Sequence, residues 1–293
     1  MQQQNTVCDF SNSDSWVILS PIELSIKKKI EAVGTPLKDW DINIYRGVLT
    51  GCNEAFIIDT AKRKEILNRC ESEDERKRTA ELIRPILRGR DIKRYGYVDN
   101  GLYLINTHNG IKGKIHRIDI NDYPAVKAHL DQYWEQIATR ADQGDTPYNL
   151  RNCAYLEDFS KPKIIWKRIG SILRFSYDNK GCLGLDSTCF AAGEHIEYLC
   201  CVLNSLMGHY LLKDSPKTGT GDLLVSVQAI EPAFIPYINN HDRKLTELLV
   251  RQIDNCTNAI ENEINDIVFS MYGLSIAERE YITLYVKQSQ QSQ

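Results

Sequence analysis

Apolar residues along this chain recur with two periods, and the switches between them mark its elements. Ser20-Pro21-Ile22-Glu23 opens a helix: Ser20 caps, Pro21 suits the first helical position, Glu23 completes a capping box, and Gly34 stops the run. Residues 41–58 then read as two short strands, Ile42 and Ile44 alternating with Asn43 and Tyr45, joined by a loop that carries Gly47 and Gly51. Asp59 or Thr60 can cap a helix through Arg69, and Ser72 with Glu75 opens another that ends before Pro85. Residues 102–105 read as a strand, 108–110 as a turn followed by the basic segment 112–117, and 124–140 as one helix with Val126, Leu130, Trp134 and Ile137 on a stripe. Residues 163–167 and 172–177 read as strands parted by Gly170, 189–192 as a further strand, 194–212 as a helix, and 234–238 as an edge strand because of Pro236.

From His241 the period changes. Leu249, Ile253, Cys256, Ile260, Ile264, Ile267 and Met271 step by three or four, which predicts one helix of about 30 residues ended by Gly273. Ser275 and Glu278 make a third capping box, for a short last helix. The pattern as a whole predicts an α+β fold: a mixed-sheet domain over 16–238, then a helical segment over 239–286. Residues 1–15 are polar and are expected to be disordered or a linker, and 287–293 to be a disordered tail.

Composition narrows the class. With 293 residues, 42% hydrophobic and 26% charged, the chain has enough apolar mass for a sizeable core. No apolar run approaches the roughly 20 residues of a membrane helix, and no secretory pattern opens the sequence. Nine cysteines without a CxxC pair fit free thiols in a reducing cytoplasm better than disulfides or zinc. The net charge of −3 is unevenly spread, since residues 239–285 hold eight acids against four bases. Residues 84–94 hold five bases and one acid, and 161–168 four bases and no acid. Such patches on a neutral body suit nucleic acid or merely make a solvated face.

The chemistry visible in the sequence is sparse. There is no Pro-Pro pair and hence no NPPY-type tetrapeptide; GxGxxG, HExxH and GxSxG are also absent, and the loop 216–221 lacks the phosphate-loop pattern. Asp158, Asp178 and Lys180 form one arrangement that a metal-dependent nuclease could use, but such triplets also arise by chance. Arg46, Thr50 and Asn53 are residue types that reach nucleic-acid edges well, although a loop that only holds the fold would carry the same residues.

Several segments in order resemble the TaqI-like C-terminal specificity domain of type IIG restriction–modification enzymes and related adenine methyltransferases. They are 16–20, 47–56, 87–95, 149–155, 161–166 and the ending 267–274; the last helix is similar to the spacer helix of type I specificity subunits. The resemblance implies a target-recognition module that binds double-stranded DNA and presents an adenine to a methyltransferase or nuclease domain outside this chain. S-adenosylmethionine and Mg2+ would be needed only there, and a cytoplasmic location follows. On this resemblance the candidate DNA contacts are Arg46, Thr50, Gly51, Asn53, Arg88, Arg90, Lys93, Arg94, Lys163, Lys167, Arg168, Lys217 and Thr218, with no catalytic residue in this chain. Two other readings stay open: the nuclease, and a subunit whose long helix pairs with a partner.

Overall fold

The computed structural model describes residues 19–237 and 242–291, so the polar start of the chain, most of the apolar run from Trp16, residues 238–241 and the last two positions lie outside the described residues. Eight strands form two four-stranded sheets: β1 (Ile42–Arg46), β2 (Ile57–Asp59), β3 (Ile83–Leu87), β4 (Leu102–Ile105), β5 (Lys163–Lys167), β6 (Phe175–Asp178), β7 (Leu183–Gly184) and β8 (Thr188–Gly193). The first sheet has the order β1-β8-β5-β6 and is antiparallel throughout. The second has the order β2-β4-β3-β7, with β7 parallel to β3, which makes it mixed. The fold is α+β.

The first sheet is buried on both faces, and alternate side chains enter two different cores. Ile164, Trp166, Phe175, Cys189 and Ala191 enter one core with the helices Pro21–Val33, Ile196–Asn204 and the three C-terminal helices. Ile165, Phe190 and Ala192 enter the other, with the second sheet and the helices between residues 60 and 139. Strand residues point to opposite faces in turn, so a strand between two cores reads as a continuous apolar run rather than an alternation.

That geometry explains Lys163. It lies directly opposite Asp178 in the β5–β6 register, and both side chains are fully buried. Nζ donates to Asp178 Oδ2 at 2.5 Å and to the Phe159 carbonyl at 2.7 Å. Tyr97 Oη (2.8 Å) and the Lys180 backbone N–H (3.2 Å) donate to Oδ1 of Asp178, and the Cys182 backbone N–H donates to Oδ2 at 3.0 Å. Burial, the largest single influence, would raise the Asp178 pKa, but the Lys163 ammonium and the hydrogen bonds from Lys163, Tyr97 and the Lys180 N–H together outweigh it and hold the carboxyl below the ordinary range.

Local signals placed the helix starts well. Ser20 and Glu23 form the expected capping box, Asp59 caps the helix Thr60–Asn68, and Ser72 caps Glu73–Leu82. Five expectations fail, some for local and some for non-local reasons. Residues 41–58 are no hairpin, because β1 and β2 belong to different sheets. Between them Gly47 passes so close to the 184–185 backbone that a Cβ would lie 2.1 Å from the Leu185 carbonyl oxygen, and residues 53–56 form a helical turn.

The helices expected over 194–212 and 124–140 are each interrupted. Ser205 stops the first: its Oγ donates to the Val202 carbonyl and accepts from the Gly208 N–H, so it caps the next helix, Leu206–Leu211. The second splits into Pro124–Leu130 and Trp134–Thr139 around a 3-10 turn, which leaves Trp134 45% exposed.

The long helix is likewise two, Asp242–Asp254 and Asn258–Met271. Thr257 caps the second through the Ile260 N–H, and Gln252 Oε1 accepts the Thr257 N–H at 3.1 Å. The last helix, Ile276–Gln291, is long rather than short and extends through residues expected to form an irregular tail. Buried residues of all three terminal helices enter the first core, so they pack within this chain.

Glu278 fastens the last helix to the first. It accepts from Ser25 Oγ (2.7 Å), Lys29 Nζ (2.6 Å) and the Ser275 N–H (2.7 Å). Burial opposes ionisation, but the hydrogen bonds from Lys29, Ser25 and Ser275 prevail and pull the Glu278 pKa down to about 2.

Two outcomes are expected in urea unfolding. Asp178→Asn strands Lys163 as an unpaired buried cation and lowers stability by about 3 kcal/mol or more. Glu278 has a depressed folded-state pKa, so its contribution is present above the unfolded value of 4.5 and is lost as pH falls towards about 2. Glu278→Gln should therefore flatten the stability-versus-pH curve between those values and cost on the order of 2–3 kcal/mol at pH 7. An unchanged curve counts against the clamp.

Candidate nucleic-acid interface

The basic segment after β3 is built on a tight turn. Arg88 forks onto Asp91, Nε to Oδ2 at 3.0 Å and Nη2 to Oδ1 at 2.9 Å, while the Arg88 N–H also donates to Asp91. Asn100 Nδ2 donates to the same carboxylate at 2.9 Å. This closes the 3-10 turn Gly89–Asp91. Gly89 is buried against the end of β5: its N–H donates to Ser187 Oγ at 3.1 Å, and a Cβ would come within 2.9 Å of Lys167 Cγ. With the turn fixed, Arg90 and Lys93 are left exposed, Lys93 Nζ reaching only the Arg90 carbonyl at 3.3 Å.

The other side of this site comes from the end of β5. Lys167 is exposed and Arg168 half-buried, and then Ile169–Gly170 pairs with Leu223–Leu224. That pairing sets the hairpin carrying Lys217 and Thr218 beside them, with Lys217 bridged to Leu223. Gly89, Ile92, Lys167, Gly170, Ser171, Ile172 and Arg174 line a small cleft of about 50 Å³. Its charged lining residues are Lys167 and Arg174, both exposed, and no carboxylate lines it. The result is a basic rim of Arg90, Lys93, Lys167, Arg168, Arg174 and Lys217. Such a rim can hold successive phosphates of a nucleic-acid backbone.

The remaining predicted residues have partners within the chain. Lys163 is the buried partner of Asp178 and offers no donor to the surface. Arg88 is neutralised by Asp91. Arg94 turns away from the rim, pairing with Glu261 and donating to the Asn204 carbonyl, so it ties this segment to the helix Asn258–Met271. Arg46 lies beside Asp186, with Nη2 3.7 Å from Oδ2. Thr218 shares its hydroxyl with Thr220 at 2.8 Å.

Thr50, Gly51 and Asn53 belong to a structural knot. Thr50 is buried and donates to Asn53 Oδ1 at 2.6 Å, and its carbonyl accepts from Arg140. Gly51 takes φ +67, where a Cβ would approach that of Asp142 at 3.1 Å. The Arg140 guanidinium is held by carbonyls rather than by a carboxylate. It donates to those of Thr50, Asp142, Pro147 and Asn149 and lies 4.4 Å from the Phe56 ring centroid, and burial lowers its pKa to about 10. Asp178 has both oxygens engaged and Asp158 pairs with Lys161 at 2.5 Å, which leaves the nuclease arrangement without an exposed Asp178. The sequence reading missed Arg174, whose only signal was its place in a segment expected to be a strand.

Known proteins place the chain. The family model of the TaqI-like C-terminal specificity domain matches residues 84–224. No curated protein sequence matches. Among solved structures, the type IIL restriction-modification enzyme MmeI, determined in complex with DNA, superposes with a TM-score of 0.59 at 9% identity, over 89% of this chain and 37% of that one. The type IIG restriction endonuclease BpuSI gives a TM-score of 0.46 at 14% identity, over 87% of this chain and 34% of that one. The chain thus spans little more than a third of either enzyme, and at 9% identity the likeness to MmeI concerns fold. The matched stretch contains the Arg88–Arg94 turn, β5, Arg174 and the Lys217 hairpin. Over residues 84–224, just under half of its length, the chain is similar to the TaqI-like C-terminal specificity domain.

Proposed function

We propose that this chain is the DNA-recognition part of a restriction–modification enzyme of the type IIG kind. It would bind a short duplex sequence and hold it for a methyltransferase or nuclease domain outside this chain. The observation that carries this reading is the rim of exposed Arg90, Lys93, Lys167, Arg174 and Lys217 with half-buried Arg168, of which Lys167 and Arg174 line a carboxylate-free cleft within the family-matched segment. Phosphate contacts of this type fix register and orientation on the duplex, and base-edge contacts from neighbouring loops add sequence preference.

For an adenine-specific enzyme, the recognised duplex would present its target base, flipped out of the stack, to a site that binds S-adenosylmethionine. The two other readings have less support. The nuclease would need Asp178 free for a metal, and that carboxylate is committed to Lys163, Tyr97 and two backbone N–H groups. A helix-pairing subunit would need a free apolar stripe, and most of the stripe, Leu249, Ile260 and Ile264 with Ile267 and Met271 partly buried, packs on the chain's own core, leaving only Ile253 and Cys256 of it exposed.

Fluorescence anisotropy on duplex DNA across a salt series tests the proposal. Binding should weaken steeply with salt. Arg90→Ala, Lys167→Ala and Arg174→Ala combined should make the slope of log K against log salt shallower by about 2–3, roughly 0.9 for each phosphate that is no longer neutralised. Circular dichroism should be unchanged, because none of the three contributes to a core. Salt-independent binding, or a combined variant that binds like the parent, refutes the rim.

A further inference from the structure

A second basic element lies apart from the rim. Residues 108–118 form a finger whose base is fastened and whose tip is not. At the base, Asn149 Nδ2 donates to the Ile118 carbonyl at 2.9 Å and lies 3.4 and 3.5 Å from the Thr107 and His108 carbonyls. Asn109 Nδ2 donates to Asp145 Oδ1 at 2.9 Å and to Asn152 Oδ1 at 2.5 Å, and the Ile118 N–H donates to His108 O at 3.1 Å.

Above the base the chain turns back on itself. Ile111 and Ile115 exchange backbone hydrogen bonds of 2.8 and 2.9 Å. Gly110 takes φ +74 where a Cβ would lie 2.4 Å from the Ile115 carbonyl oxygen, so the tight return needs glycine there. Gly113 at the tip takes φ +76 with open space around its Cβ direction.

The tip carries cations and little else. Lys112, Lys114, His116 and Arg117 are all exposed, with no acid between residues 110 and 118. Lys114 pairs with Glu157, and both are at least half exposed, a pairing that contributes little in water. Ile118 packs on the second core at the base. A loop held this firmly at its base, with its cations presented to solvent, is poorly explained by stability alone, because ordering it costs entropy and the tip buries little.

We propose that this finger is a second DNA-contacting element, in which Lys112, Lys114 and Arg117 engage backbone phosphates of the duplex held by the rim. The inference rests on the DNA-recognition reading above. It assigns the finger to affinity and not to base choice, since two of its three cations are lysines, compact point charges suited to phosphate.

The test is the full chain carrying Lys112→Ala, Lys114→Ala and Arg117→Ala, titrated against several unrelated duplexes beside the rim variant. The expected result is a salt slope shallower by about 2–3 and an equal fold-loss of affinity on every duplex, with unchanged thermal unfolding. Lys112→Arg with Lys114→Arg should bind like the parent. Parental affinity and slope in the alanine variant, while the rim variant is weakened, overturn the finger and leave the recognition reading standing. Loss on one duplex only overturns its assignment to phosphates. A parent chain without salt-sensitive binding overturns both readings.

Discussion

The structure depends on one sheet having no solvent face. β1, β8, β5 and β6 lie between two cores, so each strand must satisfy apolar packing on both sides and any charge within them must find its counter-charge there. Lys163 and Asp178 meet that demand by standing opposite each other across two neighbouring strands. A one-residue slip of β5 would move Lys163 into the helical core and Ile164 towards the carboxylate, so the ion pair specifies register as well as charge balance.

The same wall organises the surface. Where β5 emerges at Lys167 it meets the Gly89 turn and the Lys217 hairpin, and the cations gather there because the interior has claimed the others. Arg88, Arg94 and Lys163 are absorbed by Asp91, Glu261 and Asp178, whereas Lys167 and Arg174 border a cleft with no acid in its lining. Pairing thus separates structural from available cations more sharply than sequence clustering can. A basic run such as residues 84–94 contains both kinds side by side.

Much of this was legible in the sequence wherever the cause is local. Ser20 with Glu23, Asp59, Ser72 and Ser275 with Glu278 all mark helix starts, because a cap is an interaction between residues three apart. The ordered segments between Leu87 and Trp166 also pointed to the family that matches residues 84–224. What failed has two causes: local caps hidden inside helical periodicity, and distant partners. The breaks at Ser205 and Thr257 lie inside good helical periodicity, and the membership of β1 and β2 in separate sheets follows from close passage of Gly47 over Leu185. Lys163 looked like the wet side of a strand because a strand buried on both faces has no alternation to read. Arg174 stood alone in sequence, and only the fold sets it beside Lys167.

The route of the chain through the first sheet has a consequence for variation. It leaves the sheet at Arg46, builds most of the second core, and re-enters at Lys163, two strands across and three residues along, about 14 Å away. Everything from Gly47 to Pro162, the basic finger and the Arg88–Arg94 turn included, is therefore an excursion from a frame held by the first and last helices. Such an excursion behaves as a cassette. Its loops can diverge, or the whole of it be exchanged, provided that the replacement offers an apolar floor to Ile165, Phe190 and Ala192 and a place for the Lys163 ammonium.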